Sequence, residues 1–199
     1  MVQFKMILGL TGGIASGKST VSNYLKLKGL PVVDLDKIAH KVLGKNKPAT
    51  KKLMKAFGKE FFVDGRLDRQ LLGRYCFDNA SRTELLNSIV HPYIYEEMEK
   101  QMEENKNAPI LVLDAPLLIE AGLYKRCQKV MLVISSEETR IQRAIKRSNL
   151  SKLEVQKRME RQLSDEERKK YADYIIDNEG TIQETLKQID GILKELNYE

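Results

Sequence analysis

Along the chain, short continuous apolar runs alternate with longer stretches in which apolar residues recur every three or four positions. The runs are Met6–Leu10, Pro31–Val33, Ile110–Leu113, Val130–Ile134 and Tyr174–Ile176. Apolar runs of this length, bounded by turn residues, predict strands buried on both faces, as in a parallel sheet. Between them the spacing is helical. Val21, Tyr24, Leu25 and Leu27 lead to a stop at Gly29, and Lys37–Leu43 reads as a second helix. Thr181 with Glu184 makes a capping box that opens a last helix, whose stripe is Ile182, Leu186, Ile189, Leu193 and Leu196. Five strands alternating with helices predict an α/β fold, a five-stranded parallel sheet covered by helices on both faces.

From Pro48 to Asn107 the pattern is helical throughout, with no convincing strand run. One helix covers Ala49–Phe57 and stops at Gly58. Further helices cover Asp68–Phe77 and Ser81–Ile89. A break at His91-Pro92 opens another, carrying Tyr93, Ile94, Met98 and Met102. Phe61-Phe62-Val63 is an apolar plug, and Asp64-Gly65 is a turn. These stripes read as core. A helical block between the second and third strands is an insertion, suitably placed to hold an acceptor substrate.

Two later capping boxes, Ser135 with Glu138 and Ser151 with Glu154, open a pair of basic helices. The first carries Arg140, Arg143 and Arg147 on one face, and the second carries Arg158, Arg161 and Gln162. Such a face is either solvated surface or the inner side of a lid that closes over a triphosphate.

Chemistry enters with Gly12–Thr20, GGIASGKST, which contains G-x-x-x-x-G-K-S between an apolar run and a helix. Strand, glycine loop and helix together make a phosphate cradle. Glycines let the backbone approach a ligand closely, and successive amides converge on phosphate oxygens at the positive end of the helix. Gly12, Gly13, Ala15, Ser16, Gly17, Lys18, Ser19 and Thr20 are therefore candidate nucleotide ligands. Lys18 serves the β- and γ-phosphates, and the Ser19 hydroxyl serves Mg²⁺. Asp36 is either the N-cap of the helix that follows it or a carboxylate facing an acceptor hydroxyl. Asp114, ending the Ile110–Leu113 run, is either a Walker-B-type carboxylate for Mg²⁺ or a turn or cap residue.

Composition narrows the picture only a little. At 199 residues, 42% hydrophobic and 31% charged, the chain reads as an ordinary soluble globular protein. No apolar run approaches the length of a membrane span, and Met1 to Lys5 lacks a signal peptide's apolar region. Two cysteines, Cys76 and Cys127, suggest small buried hydrophobes in a reducing cytoplasm. The net charge of +6 comes from 34 basic and 28 acidic residues, interspersed without a long basic run; nucleic acid or a phosphorylated small molecule would explain that surplus equally well, and charge alone does not decide. Taken with the rest of the chain, the expected partners are small molecules, with no nucleic acid and no membrane. A late N-K-x-D-like motif, which a GTPase should carry to read its base, is absent.

Through most of its length the sequence resembles the dephospho-CoA kinase family. The resemblance is carried by GLTGGIASGKST at Gly9–Thr20, VVDLDKIAHKVL at Val32–Leu43, Pro48-Ala49, Phe57-Gly58, GRLDR at Gly65–Arg69 and IVHP at Ile89–Pro92. It continues in LDAPLLIEAGL at Leu113–Leu123, RMERQ at Arg158–Gln162 and ADYIIDNEG at Ala172–Gly180. The family usually has glycine where Ala15 stands. The resemblance implies a P-loop NTPase-type fold in which residues 1–36, 106–142 and 166–199 form the nucleotide-binding core, 37–105 a helical CoA-substrate region and 143–165 a lid. It implies transfer of the ATP γ-phosphoryl to the ribose 3′-hydroxyl of dephospho-CoA, with Mg²⁺, by a monomer or weak homo-oligomer. Asp36 would face the acceptor hydroxyl, and Arg143 and Arg147 would sit near the transferring phosphate. Asn178 and Gly180 would lie on the adenine side, and Arg69, His91 and Leu117 would contact the acceptor. The alternative is another small-molecule P-loop kinase, such as a nucleotide kinase.

Overall fold

The computed structural model describes residues 6–45, 47–77, 79–148 and 151–198. Met1 to Lys5, which carry the signal-peptide expectation, and Asn149 and Leu150, inside the expected lid, lie outside the described residues. The chain divides into two compact units, one formed by the chain up to Val33 and from Asn105 onward, the other by Asp34–Glu104. The expected lid segment belongs to the first.

The first unit contains β1 (Met6–Gly12), α1 (Lys18–Leu27) and β2 (Val32–Asp34), whose last residue opens the second unit. The second unit contains α2 (Leu35–Val42), α3 (Pro48–Phe57), β3 (Phe62–Val63), β4 (Arg66–Leu67), α4 (Arg69–Phe77) and α5 (Ala80–Glu104). The chain then returns to the first unit through β5 (Ile110–Asp114), β6 (Lys129–Ile134), α6 (Glu137–Ser148), α7 (Lys152–Met159), α8 (Asp165–Lys169), β7 (Tyr174–Asp177) and α9 (Ile182–Glu195). The five predicted apolar runs form one sheet in the order β2-β5-β1-β6-β7. Strand β1 pairs in parallel with β5 on one side, Leu10 opposite Asp114, and with β6 on the other, Leu10 opposite Met131. The chain runs to one side of β1 for β2 and β5, then crosses to the other for β6 and β7. The loop after β1 thus leaves the carboxyl edge where the order reverses, the usual ligand crevice of such sheets.

Every residue of β5 is buried, as its unbroken apolar run requires. Leu8, Leu10, Val112, Met131, Val133 and Ile176 of the sheet meet Val21 and Leu25 of α1 and Ile189 and Leu193 of α9 in one core. The capping box of α9 forms as predicted, Thr181 accepting from Glu184 N. Helix α8, also opened by a capping box, from Ser164 to Glu167, has no counterpart among the predicted elements.

The second unit departs from its expected pattern three times. Phe62–Val63 and Arg66–Leu67 pair as an antiparallel hairpin where an apolar plug and a turn, and no strand, were expected. Its two-residue loop, Asp64 at φ 49 and Gly65 at φ 73, matches the twist that such tight hairpins need. The turn was visible in the sequence, but strands of two residues are too short to show a period. An open cleft of about 600 Å³ beside it is lined by Lys45, Val63, Asp64, Arg66, Leu67 and Asp68. None of the expected site residues is among these.

Helix α5 also runs through Pro92 without the expected break. A proline in a helix interior costs about 3 kcal/mol by removing a hydrogen bond and crowding a carbonyl. Val90 before it and Met98 and Met102 after it are all buried, and the helix packs on α2, α3 and α4. At about 1.5–3 kcal/mol per buried side chain, that burial outweighs the proline.

A third correction concerns the start of α2. The helix begins at Leu35, and its cap is Asp34, whose carboxylate accepts from Lys37 N at 3.1 Å. Asp36 stands exposed in the first turn and is not the cap. Replacing Asp34 with alanine should therefore destabilise the fold by about 1 kcal/mol, the usual worth of such a cap. Thermal melts of Asp34→Ala and Asp36→Ala check this, because a larger loss in Asp36→Ala would return the cap to Asp36.

Candidate active site

The loop from Gly12 to Thr20 is shaped by its backbone. Gly17 caps α1 at φ 98 and ψ 13, a left-handed conformation that glycine adopts without strain. It has no side chain to cap the helix, and the first turn carries no acidic residue. The first amides of α1 are therefore left for an outside acceptor, and the helix dipole favours an anion there. Lys18 is the first residue of the helix and Ser19, next to it, is exposed. Ala15 is also left-handed, at φ 57. For alanine this costs roughly 1 kcal/mol. Its half-buried methyl packs against the cluster of Ile141, Ala144 and Val155, and full burial of a methyl group would return about 0.8 kcal/mol. That packing offsets part of the backbone cost of alanine where the family usually has glycine.

Asp114 is neither turn nor cap. It ends β5 beside Leu10, is 2% exposed, and forms an ion pair with Lys18. Lys18 is thus held against a buried carboxylate. The strand order brings these residues together, since they are far apart in sequence.

The first basic helix, α6, is set by a loop distant in sequence. The Ser135–Glu138 capping box does not form. Instead Ser136 Oγ accepts from Thr139 N at 3.2 Å, and the acid is Glu179 from the loop after β7. Glu179 accepts from Ser136 N at 2.8 Å, Ser136 Oγ at 3.0 Å and Thr139 Oγ1 at 2.6 Å. A local pattern cannot reveal a cap supplied from 43 residues away.

The three arginines of α6 have three different environments. Arg140 is 7% exposed and donates to Ile14 O at 3.1 Å and to Asp165 Oδ2 at 3.0 Å. Arg143 donates to Asn178 O at 2.9 Å and to Ser135 Oγ at 3.4 Å. Arg147 is exposed. The second basic helix, α7, forms with its Ser151–Glu154 box but ends at Met159, leaving Arg161 and Gln162 beyond it. Gln162 Oε1 accepts from Ile14 N at 3.0 Å, so this segment rests on the tip of the phosphate loop. Behind it, fully buried Arg168 donates to Glu120 at 3.0 Å and to Asp165 at 3.5 Å. The sequence reading missed Asp165, Arg168 and Glu120 because a buried ion-pair chain carries no local signature.

Asn178, expected on the adenine side, has its side chain buried inside the protein. Its Nδ2 donates to Ser16 O at 2.8 Å, and its Oδ1 accepts from Thr185 Oγ1 at 2.8 Å. Gly180 is exposed in the same loop, and Leu117, just past β5, is 47% exposed.

Asp36, Arg69 and His91 belong to the second unit. Arg69 Nη2 donates to Ala39 O at 3.1 Å and to His40 O at 2.9 Å, closing the last turn of α2. His91 is exposed, its ring 5.7 Å from that of Tyr95.

A phosphate loop, an ion pair between the first lysine of the following helix and a carboxylate at a strand end, and an arginine helix are common to many phosphotransferases. The whole sequence decides among them, for a family model described as dephospho-CoA kinase matches residues 6–184. The chain belongs to the dephospho-CoA kinase family. A dephospho-CoA kinase of Bacillus cereus is 44% identical over 195 residues, covering 96% of this chain and 98% of that one. A solved protein of Thermus thermophilus matches with a TM-score of 0.87 at 34% identity, covering 98% of this chain and 99% of the other. The dephospho-CoA kinase from Campylobacter jejuni matches with a TM-score of 0.67 at 30% identity, covering 95% of this chain and 98% of the other. The nucleotide-kinase alternative is not favoured for this dephospho-CoA kinase family member.

In this kinase Glu179 ties the start of α6 to pH. The hydrogen bond from Thr139, then those from Ser136, hold its carboxyl below the ordinary glutamate range. Because the folded state favours the charged form, its contribution is complete above the ordinary glutamate value and is lost as pH falls through the folded one. Glu179→Gln should therefore melt below the parent at pH 7, and the gap should begin to narrow as pH falls below the ordinary glutamate value of about 4.3. A gap that stays constant with pH would show that the charge plays no part.

Proposed function

We propose that this kinase transfers the γ-phosphoryl of ATP to the ribose 3′-hydroxyl of dephospho-CoA, giving coenzyme A and ADP in the cytoplasm. The family match over residues 6–184 supports the reaction, and the uncapped α1 terminus carrying Lys18 supports the nucleotide's place in it. Among the described residues no helix is long and apolar enough to cross a membrane, and Cys76 and Cys127 are free thiols.

In the proposed step the acceptor oxygen forms a bond to the γ-phosphorus while the bond to the β,γ-bridging oxygen breaks and ADP departs; the hydroxyl proton leaves late in the step, through the Asp36 carboxylate to solvent. The transition state is loose, so positioning and charge stabilisation dominate. The loop amides cradle the phosphates, and Lys18 exchanges its carboxylate for phosphate oxygens. Arg143 and Arg147 stabilise charge on the transferring group. Arg143 is already braced by the Asn178 carbonyl, whereas Arg147 is exposed. Asp36 accepts the hydrogen bond of the acceptor hydroxyl and aligns it, and Arg69, His91 and Leu117 contact the acceptor. The Ser19 hydroxyl and the Asp114 carboxylate are hard oxygen donors, as Mg²⁺ requires when phosphates and water complete its shell. That ion, when bound, supplies neutralising charge to the β- and γ-oxygens.

A coupled ADP-release assay tests the reading. ADP should appear with dephospho-CoA and not with AMP or DNA, and equal release with AMP would overturn it.

Lys18→Ala should abolish transfer. It should also cost about 3 kcal/mol of stability, because Asp114 is left buried without its cation. Adding Asp114→Asn should restore the melting temperature but not the activity, which separates the two effects on one preparation. Activity in a folded Lys18→Ala variant would remove the lysine from the mechanism.

Asp36→Asn leaves the cap of α2 in place, since Asp34 provides it. Its melting temperature and ATP binding should stay close to the parent's, while turnover falls by about 10²-fold. Unchanged turnover would leave the acceptor hydroxyl without its proposed partner.

A further inference from the structure

We infer that Asn178 is a positioning residue for ATP, its side chain setting the Ser16–Gly17 peptide of the phosphate loop and Thr185 setting that side chain. The inference rests on the reading of this loop as the phosphate site of ATP.

Its direction follows from donor and acceptor chemistry. The Ser16 carbonyl can only accept, so the nitrogen of the Asn178 amide must face it, at 2.8 Å. The amide oxygen then faces Thr185, whose hydroxyl donates to it at 2.8 Å. Carbonyl and N–H of one trans peptide point in opposite directions. Holding the Ser16 carbonyl toward Asn178 therefore aims the Gly17 N–H away from it.

The contact is close and dry. A Cβ placed on Gly17 would lie 1.8 Å from Asn178 Nδ2, so glycine is required both by its φ of 98° and by this side chain. Asn178 is 7% exposed and Thr185 is 0% exposed, so water does not compete for these bonds. The backbone of Asn178 is anchored as well. Its N–H donates to Ile134 O at 2.9 Å, and its carbonyl accepts from Arg143 Nη2 at 2.9 Å. One residue thus ties β6, α9 and the arginine helix to the loop that receives the phosphates.

Thr185 provides the cleanest test, since it belongs to α9 and only its hydroxyl is in question. Thr185→Val removes the hydroxyl and keeps the shape, whereas Thr185→Ser keeps the hydroxyl. Calorimetric titration with ATP should show the Kd raised about tenfold in Thr185→Val, the worth of one lost buried hydrogen bond, and near the parent value in Thr185→Ser. The KM for dephospho-CoA should be unchanged in both. Asn178→Asp, which sets an acceptor against the Ser16 carbonyl, should weaken ATP at least as much; if it fails to fold, the Thr185 pair decides. Equal ATP affinity in Thr185→Val and Thr185→Ser would overturn the inference. So would a rise in the KM for dephospho-CoA as large as the loss of ATP affinity, the mark of a general structural defect. Failure of the acceptor reading would show separately, as parent enzyme that binds ATP but releases no ADP with dephospho-CoA.

Discussion

The turn at Gly17 is the constraint on which the remaining structure depends. A left-handed residue there lets the chain leave β1, fold back and enter α1 with its first amides uncapped. Those amides are costly to bury without a partner, and so they are kept for an anion. The same turn brings Lys18 to the end of β5, where Asp114 is buried. A buried carboxylate needs a cation, and the lysine proposed to bind phosphate needs to be held until phosphate arrives. The pair, between the start of α1 and the end of β5, meets both requirements.

Around this turn the first unit is built to limit movement. Ile14, at the loop's tip, is bonded on both sides of its backbone, by Gln162 to the N–H and by Arg140 to the carbonyl. Arg140 is held by Asp165, which also meets Arg168, and Arg168 reaches Glu120 beyond β5. Each guanidinium is desolvated and each is matched by a carboxylate, without which burial would cost several kcal/mol per charge. This chain of charges links α6 and α8 to the loop and to the segment after β5. Arg143 is fixed in the same way by a backbone carbonyl, which leaves Arg147 as the exposed member of the arginine face.

The second unit has its own core of Leu53, Phe61, Leu72, Cys76 and Val90. Its helices are tied by backbone caps as much as by apolar contact. Arg69 closes the end of α2, and Asp34 closes its beginning. Asp36, released from capping, stands exposed in the first turn of that helix.

The sheet was legible in the sequence because its strands are buried on both faces, and a short apolar run such as Ile110–Leu113 fits no solvent-facing element. The phosphate loop was legible because its chemistry is local: glycines, Lys18 and Ser19 lie within a few residues and between the correct flanks. The boxes at Ser151 and Thr181 were legible for the same reason. Tertiary structure decided whatever depends on partners distant in the chain. Glu179 caps α6 in place of Glu138 because β7 brings its loop there. Pro92 stays helical because residues on both sides of it are buried in one unit. Asn178 braces the phosphate loop because β6 and β7 are neighbours. Asp114 meets Lys18 only because the pairing of β5 with β1 sets it there. Local periodicity records what one segment must bury, whereas a hydrogen bond across the fold depends on where the sheet has placed both ends.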